Sequence, residues 1–320
     1  MVESTLKVKA HAIAVDLGGT KLRAARVNSM GQILDQVETP TKAIAGAEAV
    51  LEQIAEMVNL IKNNAADTEI IGVGVCAPGP LDTKRGLALS IPTIKGFNNY
   101  PLLAALEDQL AMPVCLENDA IAAAIGEWKF GVGVGFDNLV YVTVSTGIGG
   151  GVIADGKVLR GRMGMAGHIG HMVIATDGNL CNCGNRGCFE AYASGPAFAA
   201  RVQKRVLNAT QTSLLTKDQI IDCPAIFAAA KAQDLLALEL VNEEATILGS
   251  GFASLAHLFS PDLIIMGGGL SNEFATLFPT MNTHFQNSIM PAFKGTKIVR
   301  STLAGNSGIV GAASLVFEGL

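Results

Sequence analysis

The chain has 320 residues, 49% of them hydrophobic and 16% charged, with a formal net charge of −5. That length predicts about two domains at roughly 150 residues each, the apolar content excludes a disordered chain, and an acidic balance without a basic run excludes nucleic acid as a main partner. Mean hydropathy is +0.38, yet no run reaches the roughly 18 consecutive apolar residues of a membrane span and Met1 to Ala10 lacks the apolar core of a secretory leader, so a cytoplasmic chain with no membrane partner is expected.

In chain order, residues 12–16 form an apolar run that ends at Gly18-Gly19 and resumes over residues 21–27, a hairpin with a glycine-rich turn. Ala47–Asn63 places Val50, Ile54, Met57, Val58 and Ile61 at helical spacing. Residues 70–75 read as a buried strand running into Pro78-Gly79-Pro80. Leu102–Leu110 reads as a helix, residues 114–117 as a strand and residues 118–128 as an alanine-rich helix.

The pattern then restarts. Leu139–Val144 is an apolar strand, residues 146–151 a second glycine-rich turn, and residues 152–153 a returning strand. Helices follow over residues 194–207, 220–231 and 239–258, the last with Gly249 and Gly251 near its middle. Residues 263–266 form a strand ending in Gly267-Gly268-Gly269, and residues 308–317 a small-residue helix. Alternating strands and helices predict an α/β architecture. The echo between the halves predicts two α/β domains facing a shared cleft: 1–125, with the helix of 306–320 packing back on it, and a larger 126–305.

Four motifs carry chemistry. In Asp16-Leu17-Gly18-Gly19-Thr20-Lys21, a carboxylate at a strand end can hold hydrated Mg²⁺, while the glycine N–H groups and the Thr20 hydroxyl reach phosphate oxygens. Alone, it is equally an ordinary hairpin turn. Ser145-Thr146-Gly147-Ile148-Gly149-Gly150-Gly151 is neither a dinucleotide fingerprint nor a Walker loop. Two such turns in corresponding places favour a ligand over mere flexibility. Glu117-Asn118-Asp119-Ala120 lies at a strand-to-helix junction. Asn or Asp there is a favoured helix cap. Asp119 is also a candidate general base, ionised at a helix N-terminus, with Asn118 binding a neighbouring hydroxyl; the two readings are compatible.

The fourth motif is His171 followed by Cys181-Asn182-Cys183-Gly184-Asn185-Arg186-Gly187-Cys188. One imidazole and three thiolates make a closed, structural Cys₃His zinc site; inert packing thiols are the alternative, and they fit the glycine-rich polar setting poorly. Zinc there would pin the loop carrying His168, His171 and Glu190. Cys76, Cys115 and Cys223 read as core or incidental.

With these motifs in order, the sequence resembles the ROK family of sugar kinases, repressors and open reading frames, from Asp16 to the C-terminal helix. The resemblance implies the two-domain actin-like ATPase (ribonuclease-H-like) fold and transfer of the γ-phosphoryl of ATP to a hexose hydroxyl, usually at C6. It implies that Asp119 is the catalytic base and that Gly79, Asn99, Asn118, His168, His171 and Glu190 contact the sugar. It further implies that Asp16, Gly18, Gly19, Thr20 and Lys21, with Thr146, Gly147, Gly149, Gly150 and Gly151, hold the phosphates, and that Gly268 and Gly269 lie on the adenosine side. His171, Cys181, Cys183 and Cys188 are the implied zinc ligands, and a homo-oligomer (dimer or tetramer) is expected. One departure bears on the sugar. His168-Ile169-Gly170-His171 stands where most glucokinase-like members have Glu-x-Gly-His, and it is similar to bacterial N-acetylmannosamine kinases of sialic acid catabolism. An imidazole can donate as well as accept a hydrogen bond, which suits an N-acetyl carbonyl; glucokinase, N-acetylglucosamine kinase and fructokinase are the alternatives. A sugar-responsive regulator is the lesser alternative, since the fifteen residues before Asp16 are too few for a winged helix-turn-helix.

Overall fold

The structure is a computed structural model that describes residues 10–65, 68–209 and 212–319. The reading of the first nine residues lies outside the described residues. In chain order the elements are β1 (His11–Leu17), β2 (Lys21–Asn28), β3 (Ile33–Pro40), α1 (Ala47–Asn63), β4 (Ile70–Ala77), β5 (Leu81–Asp82), β6 (Leu87–Ser90), β7 (Asn98–Tyr100), α2 (Leu102–Leu110), β8 (Val114–Asn118) and α3 (Asp119–Phe130). There follow β9 (Leu139–Val144), β10 (Ile148–Ala154), β11 (Lys157–Val158), α4 (Glu190–Ala193), α5 (Gly195–Asn208), α6 (Cys223–Lys231), α7 (Leu235–Phe259), β12 (Leu263–Gly267), α8 (Phe274–Ser288), β13 (Lys297–Arg300) and α9 (Ser307–Phe317). Among the described residues no helix is long and apolar enough to cross a membrane.

The chain divides into two compact units. One comprises Met1–Asp137, Gly151–Gly167 and Thr302–Leu320, the other Asn138–Gly150 and His168–Ser301. In the first unit a five-stranded sheet runs β3-β2-β1-β4-β8, with β1 antiparallel to β2 and parallel to β4. Its inner strands are covered on both faces, so their apolar positions alternate between two cores. Ile13, Val15 and Leu17 of β1 pack with Val50, Ile54 and Val58 of α1 and Leu102 and Leu106 of α2. Ala12 and Ala14 face Ile309, Ala312 and Ala313 of α9. The second face is lined by small residues because α9 comes very close. A Cβ on Gly74 would strike the Ala312 carbonyl, one on Gly126 the Ser307 carbonyl, and one on Gly311 the Ala122 carbonyl.

The second sheet runs β11-β10-β9-β12-β13, with β12 parallel to both β9 and β13. Numbered within each sheet, both have the order 3-2-1-4-5, so the echo between the halves is an echo of topology. In the second unit α7 is flanked by α6 and α8.

Three readings need correction. Gly149–Gly151 is strand, not turn; the turn is confined to Ser145–Gly147, where the Ser145 N–H donates to the Gly147 carbonyl at 2.9 Å. The helix read over residues 220–231 starts at Cys223, because the Asp222 carboxylate accepts the Ala225 N–H and caps it there. The 239–258 helix is longer, Leu235–Phe259, capped by Asp234 through the Ala237 N–H. Its glycines do not interrupt it; Gly251 leaves room for the Phe189 ring.

Candidate active site

In the first unit, the ends of β1, β4 and β8 bring a polar row together. Register pairs Glu38 with Arg23, Arg23 with Asp16, Asp16 with Cys76, and Cys76 with Glu117. Directly paired residues share a face, so this row crosses the sheet on the α9 side. Arg23 donates from Nη2 (2.5 Å) and Nε (3.2 Å) to Oδ2 of Asp16, and the Cys76 thiol donates to Oδ1 at 3.5 Å. Burial, first, and then the Asp16 and Asp119 charges push the Cys76 thiol well above its usual range, so it stays protonated and can donate. Lys21 pairs instead with Glu38, 2.7 Å away and half-exposed. The Gly18 N–H donates to the Lys21 carbonyl at 2.9 Å and closes the hairpin that holds Gly19 and Thr20.

The β8–α3 junction separates two roles the sequence left joined. Asn118 Oδ1 accepts the N–H groups of Ala120 (3.1 Å) and Ile121 (3.3 Å), so Asn118 is the helix cap. Its amide nitrogen is the side chain's donor, and it bonds the neighbouring Asp119 carboxylate. Asp119 is the first helical residue, its Oδ1 accepting the Ala120 N–H at 2.8 Å. Burial raises the Asp119 pKa to about 6, with the Asp16 charge adding to the rise and the Ala120 N–H and the Asn118 side chain opposing it. Glu117, 2% exposed, accepts from Arg160 Nε at 3.1 Å and from the Asn118 N–H at 3.0 Å. Gly79 lies two residues beyond Ala77, the register partner of Asn118. Asn99 is exposed in β7 with a left-handed φ of 49°.

The second unit gathers the other residues. The Ser145–Gly147 turn, with exposed Thr146, lies against α5: the Gly195 N–H donates to the Ser145 carbonyl at 2.8 Å. Gly268, at φ 78°, fits beside the Val144 carbonyl, and Gly269 is close to the Ser145 hydroxyl. The residues expected on the phosphate and adenosine sides are therefore neighbours here. Gly150 and Gly170 give the room that lets β10 touch the 3₁₀ turn Ile169–His171. Glu190, at the start of α4, accepts the Ile148 N–H on Oε2 at 2.8 Å, tying this carboxylate to the turn. His168 and His171 stand with ring centroids 6.4 Å apart.

Beside them, one ligand atom from each of His171, Cys181, Cys183 and Cys188 lies within 4.8 Å of the others. The His171 Nδ1 to Cys181 Sγ distance is 3.7 Å, as is that between the Cys183 and Cys188 sulfurs. Ligands at zinc bond lengths of about 2.1–2.3 Å sit roughly 3.4–3.8 Å apart in a tetrahedron, so the donor set and these two separations fit zinc. It is the Nδ1 edge of His171 that faces the Cys181 thiol.

Sequence reasoning missed Arg23, Arg160 and the polar role of Cys76, taken as core. Only the strand register, which no local motif encodes, reveals the row.

A model of the ROK family matches residues 12–318. A glucokinase of Thermotoga maritima is 36% identical over 314 residues, covering 97% of this chain and 98% of its own. An N-acetylmannosamine kinase of Escherichia fergusonii is 34% identical over 305 residues, covering 95% and 97%. Among solved structures, a ROK family glucokinase from Streptomyces griseus in complex with glucose and AMPPNP has a TM-score of 0.84 at 34% identity, covering 97% of this chain and 100% of that one. The chain thus has the two-domain actin-like ATPase fold and belongs to the ROK family, as one of its sugar kinases.

Proposed function

We propose that this kinase transfers the γ-phosphoryl of ATP to the 6-hydroxyl of an N-acylhexosamine, with N-acetylmannosamine as the preferred sugar. The observation that carries the reaction is Asp119: a carboxylate beside the Asn118 cap, raised to about 6, so that it is ionised at neutral pH yet basic enough to take a hydroxyl proton. In the first unit Asp119 accepts the proton of the attacking 6-hydroxyl. The Asn118 amide nitrogen donates to an adjacent oxygen, and Gly79 and Asn99 line the sugar. In the second unit Glu190, His168 and His171 contact the sugar ring, while Thr146, Gly147 and Gly149–Gly151 hold phosphate oxygens and Gly268 and Gly269 the adenosine. Asp16 would hold Mg²⁺ through its hydration shell, which supplies charge neutralisation for in-line transfer. His171, Cys181, Cys183 and Cys188 would hold zinc, which supplies a structural anchor for Glu190 and His171 and no chemistry. A cytoplasmic homo-oligomer fits this reading.

The sugar preference rests on His168, an imidazole able to donate to an acyl carbonyl. A second reading, glucose, is favoured by the glucokinase relative at 36% identity. Coupled assays with Mg-ATP and N-acetylmannosamine, N-acetylglucosamine, glucose, mannose and fructose decide between them. N-acetylmannosamine is expected to give the highest kcat/KM; a higher value for glucose rejects the His168 argument in favour of the second reading.

A further inference from the structure

Two carboxylates of the polar row in the first sheet each face an arginine. Arg23 faces Asp16 on one side and Arg160 faces Glu117 on the other, with Asp119 following Glu117 by two residues. We propose that Arg160 acts through Glu117 as a positioning residue for Asp119, fixing the strand end that presents the base. This rests on the reading of Asp119 as the base.

The geometry is a short chain of bonds. Arg160 Nε donates to Glu117 Oε2, and Glu117 Oε1 accepts the N–H of Asn118, whose side chain in turn caps α3. Arg160 is itself held from behind. Its carbonyl accepts the Ala166 N–H at 3.1 Å, the Gly161 carbonyl accepts Lys84 Nζ at 2.9 Å, and the Met163 carbonyl accepts the Thr83 N–H at 3.2 Å. The turn bearing Arg160 is thus pinned to the residues leaving β5. A buried carboxylate without a counter-charge is costly and takes up a proton instead. Burial does push Glu117 upward, and the Asn118 N–H and Arg160 draw it back.

The titratable and charged groups around Glu117 are few. Arg160 comes from the pinned turn, Cys76 is its register partner on β4, Asp16 lies beyond Cys76, and Asp119 follows on its own chain. The Cys76 thiol is held protonated, so Arg160 is the cation paired with Glu117. Without it, Glu117 gains its proton at higher pH, its carboxylate no longer holds the Asn118 N–H as an anion, and the junction loosens. Activity then fails at a pH where Asp119 alone would still serve.

The test is a set of pH profiles of kcat/KM for Arg160→Met, Arg160→Lys, Glu117→Gln and the Arg160→Met/Glu117→Gln pair. Arg160 is 40% exposed, so its replacement disturbs little packing, and circular dichroism and thermal melts of each variant check that it is folded. Arg160→Met is expected to move the acidic limb up by about half to one pH unit. It should lower kcat roughly tenfold to a hundredfold, as a misplaced base would, with KM for ATP changed by less than about twofold. Arg160→Lys should keep the limb near its original position. The double variant should also return it there, because nothing then titrates at position 117. A limb in Arg160→Met that superimposes on the parent, or a shift that persists in the double variant, overturns the proposal. Asp119→Asn separates the two layers. Near-normal turnover in that variant removes the base assignment itself, whereas an inactive Asp119→Asn beside an unmoved Arg160→Met limb removes only the pair.

Discussion

Asp119 is held in a state that costs stability when it is ionised. Its folded pKa, about 6, is above the ordinary Asp value of 3.8, so the folded chain binds the extra proton between those two values. The stability that proton confers is present below the unfolded pKa and lost as pH rises through about 6. Asp119→Asn should therefore lower kcat by roughly a hundredfold to ten-thousandfold while stabilising the fold by about 1–3 kcal/mol at pH 8. The gain should vanish below pH 4. Thermal melts at both pH values check it; an inactive variant no more stable at pH 8 than its parent contradicts a carboxylate whose burial outweighs its hydrogen bonds. The proposed base stood out in the sequence because Glu-Asn-Asp lies at a strand-to-helix boundary. Its supports did not: Arg160 is 43 residues from Glu117 in sequence, and only folding makes them partners.

Among elements, α9 shows how composition becomes geometry. Its small-residue run was readable as a helix, but not that smallness is demanded by Gly74 on β4 and by Ala122 and Gly126 on α3. Gly311→Ala should cost about 1–3 kcal/mol or more through overpacking, because the obstacle is the Ala122 backbone carbonyl, which cannot rotate away. Denaturant titration reads this directly; an unchanged midpoint contradicts the close crossing. The elements missed share a physical cause. β3 is a half-exposed edge strand whose apolar and polar residues fall on both faces, with Leu34 outward and Asp35 inward, so it shows no clean alternation, and β5, β6 and β7 span two to four residues each. α8 carries Pro279 in its interior, which reads as a breaker. Gly149–Gly151 misled in the other direction. Three glycines look like a turn, yet Gly150 is small because the Ile169 side chain comes against the strand.

For the whole molecule, the four-ligand cluster ties chemistry to folding. The loop from Cys181 to Cys188 has little regular structure of its own. It is held by the Leu180–Arg186 and Val173–Cys188 bridges and by the Cys181 N–H bond to the Asn185 carbonyl. Cys183→Ser should abolish about one bound zinc per chain, lower Tm, and raise KM for the sugar more than for ATP, since ligand binding and folding are coupled. Elemental analysis with kinetics tests this; a zinc-free preparation with unchanged sugar KM refutes it. The cysteine spacing made the cluster legible, whereas the tie from Glu190 to the Ile148 N–H was invisible, because strand β10 and helix α4 lie far apart in sequence.

Neither unit is one continuous stretch. The first is completed by Thr302–Leu320, and α9 must slot between α3 and the sheet. On the ribosome, therefore, Ala12, Ala14 and Cys76 await their cover until α9 itself has emerged. A nascent chain stalled near residue 300 would expose that half-built face to chaperones, and a tether that holds α9 back in the exit tunnel should delay maturation of the first unit more than that of the second.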